Sequence, residues 1–102
     1  MNLHLNNFAN WLAKHRDTLA EAGFYTEIKI PNEESNNRSA RVDLESANQL
    51  ARITVWEDGL CDFEVLFVDP KKPGIFEHFE LAQERSIDDQ LAPFLLRLKD
   101  WV

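Results

Sequence analysis

The chain has 102 residues, 44% of them hydrophobic, with only three glycines and four prolines. That length supports one hydrophobic core and not two, so a single soluble globular domain over 1–102 is expected. Eighteen acidic residues against eleven basic ones give a net charge of −7, which argues against nucleic acid as a direct ligand because phosphate binding needs a cationic face.

No apolar run approaches the roughly 20 residues that span a bilayer. The start, MNLHLNNFANWLAKHR, lacks the basic opening and apolar block of a signal peptide. A lone cysteine, Cys61, rules out an internal disulfide framework and suits a reducing compartment. The expectation is a cytoplasmic protein with no membrane contact. Its acidity fits a basic protein partner, and fits plain solubility equally well.

Residues 3–22 read as an amphipathic helix. Leu5, Phe8, Leu12, His15 and Leu19 recur at spacings of three and four, with Trp11 widening the stripe. Gly23 is placed to end it in the left-handed conformation. FYTEIKIP at 24–31 alternates as a strand, with Thr26, Ile28 and Ile30 opposite Tyr25, Glu27 and Lys29. Pro31 opens a polar stretch to residue 39 without periodicity, read as a mobile hairpin loop. ARVDLES at 40–46 is a second strand, and Ser46-Ala47-Asn48 turn the chain.

Residues 50–69, LARITVWEDGLCDFEVLFVD, carry the strongest hairpin signal. A two-residue loop at Asp58-Gly59 would set Val55 against Asp62 and Ile53 against Glu64, mixing apolar and charged side chains on both faces. A three-residue loop, Glu57-Asp58-Gly59, instead pairs Val55 with Cys61, Ile53 with Phe63 and Ala51 with Val65, and that face is wholly apolar. Its opposite face pairs Trp56 with Leu60, Thr54 with Asp62 and Arg52 with Glu64, the last as a cross-strand ion pair. A type I turn followed by glycine in the left-handed region suits this loop, and a one-residue slip would reverse every side chain.

PKKPG after Asp69 is a loop. GIFEHFEL at 74–81 resumes an alternating pattern, with Ile75, Phe79 and Leu81 opposite Phe76, His78 and Glu80. Ser86 then opens a second helix, with Asp89 at its third position as a weaker capping box. Its buried stripe is Ile87, Leu91, Phe94, Leu95 and Leu98, with Trp101 near the end and a bend expected at Pro93. The fold class expected is α+β: an antiparallel four- to five-stranded sheet with an N-terminal and a C-terminal helix packed on one face.

A search for chemistry yields no active site. His15 lies on the apolar stripe and reads as a hydrogen-bonded core histidine, and His4 as solvated. Glu77 points to the opposite strand face and cannot easily orient His78, while Glu80 shares its face, a pattern that an exposed cross-strand cluster explains as well as acid–base work does. Cys61 points inward as an inert thiol. No His or Cys spacing fits a metal, and glycines at 23, 59 and 74 cannot form a phosphate loop. No catalytic residue, metal or cofactor is expected.

What stands out is charge. Between Glu57 and Asp89 there are ten acidic residues and three basic ones, an excess of seven that equals the whole net charge. A negative field concentrated on the hairpin tip, the following strand and the start of the second helix, with Trp56 and Leu60 beside it, suits a cationic protein cleft. The same acids could equally form an ordinary solvated face.

The run QLARITVWEDGLCDFEVLFVD, followed by FEHFEL, a serine and an amphipathic helix, resembles the TriTu family of bacterial immunity proteins, linked to contact-dependent growth inhibition. The shared pattern covers roughly residues 48–98. The resemblance implies a non-enzymatic antidote that binds a cognate toxin domain, a basic tRNA-cleaving nuclease working with elongation factor Tu. An acidic protein can take the place of phosphates in such a groove. Trp56, Glu57, Asp58, Asp62, Glu64, Glu77 and Glu80 are the expected toxin contacts. The alternative is a small acidic export chaperone, dimeric and holding an extended effector segment. A third reading, a hydrolase using His78, has less to carry it.

Overall fold

The computed structural model describes residues 3–29, 38–82 and 84–101, the last three by backbone alone. The polar loop expected at 31–39 falls almost wholly outside these residues, as do Ile30 and the Trp101 side chain.

The first apolar stripe forms α1 (Leu3–Glu21), which buries Leu5, Phe8, Trp11, Leu12 and Leu19. Gly23 ends it at φ 95°. Its N–H donates to the Ala20 carbonyl and the Phe24 N–H to that of Leu19, a Schellman closure in which buried Phe24 packs back toward buried Leu19. Five strands follow as a simple antiparallel meander in the order β1-β2-β3-β4-β5: β1 (Tyr25–Lys29), β2 (Ser39–Glu45), β3 (Gln49–Trp56), β4 (Leu60–Phe67) and β5 (Ile75–Glu80). Helix α2 (Ile87–Trp101) closes the chain. The Ser86 hydroxyl caps it, accepting from the Asp89 N–H at 3.1 Å.

The central hairpin takes the three-residue-loop register: Val55 faces Cys61, Ile53 faces Phe63 and Ala51 faces Val65. Gly59 sits at φ 93° and donates to the Trp56 carbonyl. The Arg52 ion pair differs from expectation. Arg52 stands between Asp43 on β2 and Glu64 on β4, and its Nε binds Asp43 at 2.6 Å. Asp43 raises the guanidinium pKa chiefly through that bond, while Glu64 adds only its field. His4 also departs from expectation: it is half-buried, its Nε2 about 3.0 Å from where a Cβ on Gly59 would stand.

Both helices cover the apolar sheet face. Val42, Leu44, Ile53, Val55, Cys61, Phe63 and Val65 supply the sheet side of a continuous core. Helix α2 reaches across β4 and β5 through Phe94, whose ring lies 4.5 Å from Phe63 and 5.1 Å from Phe79. The helices are joined where Lys14 Nζ and His15 Nε2 meet Asp88 at 2.9 and 2.8 Å. His15 is thus hydrogen-bonded at the rim of the core.

Candidate protein interface

With the helices on one side, no element among the described residues covers the other face of the sheet. Strand register sets its side chains in cross-strand rows. Glu80, Leu60 and Trp56 lie nearest the β3–β4 turn; next come Lys29, Arg41, Thr54, Asp62 and His78; then Glu27, Asp43, Arg52, Glu64 and Phe76; and last Glu45, Leu50, Leu66 and Tyr25. Four of the seven expected contacts, Trp56, Asp62, Glu64 and Glu80, therefore share one face.

The other three are placed differently. Asp58 lies exposed in the β3–β4 turn, where its carboxylate accepts from the Leu60 N–H. Glu57 accepts from the backbone N–H and Nε of Arg38 at 3.0 and 3.2 Å. Glu77 points to the helix side and binds Arg97 at 2.5 Å, so a partner laid flat on the open face does not reach it. Acids do converge beyond the hairpin tip. Asp58, Glu80 and Glu84 border one hollow of about 380 Å³ with His4, Leu81 and Ala82.

Trp56 is half-buried, while the far end of the same face carries more prominent apolar groups. Tyr25 and Phe76 are 69% and 67% exposed, and Leu50 and Leu66 about half. These four line a hollow of about 370 Å³. Sequence reasoning passed over them because each stands on the polar side of its own strand. The signal was nevertheless present: extending the hairpin register by one row past Ala51 and Val65 sets Leu50 directly against Leu66.

The row around His78 does not form a nucleophile relay. His78 Nδ1 hydrogen-bonds Asp62, a pair that follows from the β4–β5 register. Across that row the order is Thr54, Asp62, His78. The carboxylate lies between hydroxyl and imidazole, whereas a nucleophile relay needs the imidazole in the middle. Burial, with Asp62 adding to it, pushes the Cys61 thiol up to about 12, so it stays protonated and unreactive. Among the described residues no group of three or more His, Cys, Asp or Glu could hold a metal ion. No helix among them is long and apolar enough to cross a membrane.

Compared with protein families, the sequence matches the TriTu immunity protein family over residues 6–97. The chain belongs to that family. No curated protein matches it. TriTu membership gives the chain the role of an immunity protein, one that neutralises a toxin. The match covers both helices in large part and the whole sheet, so open face and acidic tip alike lie within the TriTu region.

Proposed function

We propose that this immunity protein neutralises a cognate basic nuclease domain, one that cleaves tRNA together with elongation factor Tu, by covering its cationic substrate groove. The observation that carries this reading is the gathering of Asp62, Glu64 and Glu80 on the sheet face away from the helices, beside the Asp58–Glu84 tip. A tRNA-binding groove is built to receive a row of phosphates. Carboxylates set on a rigid sheet compete for the same cations without the cost of ordering a flexible segment. Trp56 stands within this surface and Glu57 braces the turn beside it, while Glu77, turned to the helix side and paired with Arg97, takes part only if the partner wraps around the β5 edge. Charge complementarity speeds encounter and penalises mismatched toxins. The protein acts in the cytoplasm, as a binder and not a catalyst, and needs no cofactor.

The test is co-expression with the C-terminal domain encoded by the neighbouring toxin gene, followed by purification and binding kinetics. The expected result is a 1:1 complex whose association rate falls roughly tenfold or more between low and physiological salt. Replacing Asp62 and Glu64 by lysine should weaken binding with little change in thermal unfolding. Salt-independent association, or a dimer gripping a non-native segment as an export chaperone would, overturns the reading.

A further inference from the structure

We propose that the apolar anchor of the interface is the hollow at the far end of the open face, and that it receives a segment of the basic partner carrying one apolar side chain between two cationic ones. The inference rests on the immunity reading and names the anchoring chemistry within it.

Tyr25, Leu50, Leu66 and Phe76 form the apolar lining. Two of these side chains pack closely on Gly74: a Cβ there would stand 3.0 Å from the Phe76 ring and 3.2 Å from Leu66, so the absent side chain lets both lie against the loop. Solvent-facing apolar groups gathered into one concavity mark an interaction site more often than scattered ones do.

Charge selects the occupant. Four carboxylates border the hollow, Glu27, Asp43, Glu45 and Glu64, against one guanidinium, Arg52. Glu27 is engaged by Lys29 at 2.5 Å and Asp43 by Arg52 at 2.6 Å. Glu45 and Glu64 have no salt-bridge partner within 4 Å among the described residues. They stand on β2 and β4, two strands apart across the sheet and one row apart along it, hence roughly 12 Å, with Leu50 and Arg52 on the strand between them. An apolar side chain seated on Leu50 and Leu66 would bring flanking arginine or lysine residues to the two carboxylates. Their stems would cover the leucines, and the rings of Tyr25 and Phe76 would offer faces to the cations. An anionic ligand is repelled. A second copy of this chain would set like charges against each other across the interface, which disfavours self-association.

The experiment measures dissociation of the purified toxin domain from wild type, from L50S/L66S, from E45K and from D62K. Leu50, Leu66 and Glu45 are exposed, so these variants should melt like wild type, which thermal unfolding checks. The expected result is a dissociation rate raised roughly 100-fold in L50S/L66S and about tenfold in E45K. If both dissociate like wild type while D62K loses affinity, the partner sits on the acidic flank alone; the anchor is then wrong and the immunity reading stands. If wild type binds no toxin domain, both fall. Concentration-dependent dimerisation of wild type, lost in L50S/L66S, would assign the hollow to a second copy and overturn the proposal.

Discussion

Asp88 shows how much of an acidic surface can be committed inside the molecule. Its carboxylate bonds His15 and Lys14, and its pKa lies below the usual carboxylate range, first through the His15 bond and then through that of Lys14. A depressed folded-state pKa means that folding favours the ionised form. The stabilisation is present above the ordinary carboxylate pKa and is lost as pH falls through the lowered one. Asp88→Asn should therefore lower Tm at neutral pH by about 2 °C, a small effect because the Asp88 side chain is 41% exposed and solvent screens its partners. The difference from wild type should vanish in acid. Thermal unfolding by circular dichroism across pH 2–7 (a range of about five units chosen to bracket carboxylate titration) checks this, and a gap that persists unchanged in acid would refute it. His15 was legible as a stripe histidine with a hydrogen bond. Its partner was not, because Asp88 lies 73 residues away in sequence and local periodicity says nothing about which helix ends meet.

At the scale of elements, the β3–β4 hairpin was readable residue by residue. Only two loop lengths were plausible, and only one left a uniform apolar face, so the register followed from side-chain alternation. The ion pair of Arg52 was not readable in the same way. Arg52 has a carboxylate opposite it on each neighbouring strand, and choosing between them depends on side-chain geometry that alternation does not encode. The turn itself yields a test. Gly59 has φ 93°, a region where a Cβ costs roughly 1–2 kcal/mol. The nearest obstacle is the tip of the His4 side chain rather than backbone, so backbone strain is expected to carry most of the penalty. Gly59→Ala should destabilise by that amount in urea unfolding, and Gly59→Asn by less, since asparagine tolerates the left-handed region better. Equal costs for Ala and Asn would show that steric contact with His4, and not backbone strain, governs the turn.

Over the whole molecule, counting charges located the excess but not its distribution. Ten acids between Glu57 and Asp89 look alike in sequence. In the fold, Glu57, Glu77 and Asp88 are bound to Arg38, Arg97 and the Lys14–His15 pair. Asp58, Glu80 and Glu84 instead gather around one hollow beyond the hairpin tip. Like charges held together by the fold repel, and salt screens that repulsion over a Debye length of about 10 Å at 0.1 M. Sodium chloride should therefore raise Tm in the isolated protein, and D58N/E84Q should raise it at low salt while flattening the salt response. Differential scanning calorimetry at several ionic strengths measures both. A Tm indifferent to salt, or lowered by the two neutralisations, would mean that the tip is not under electrostatic strain. On the proposed function, a cationic groove on the toxin would relieve that strain on contact. The same carboxylates that loosen the free protein then tighten the complex, and binding the toxin should flatten the salt dependence of unfolding as the two neutralisations do.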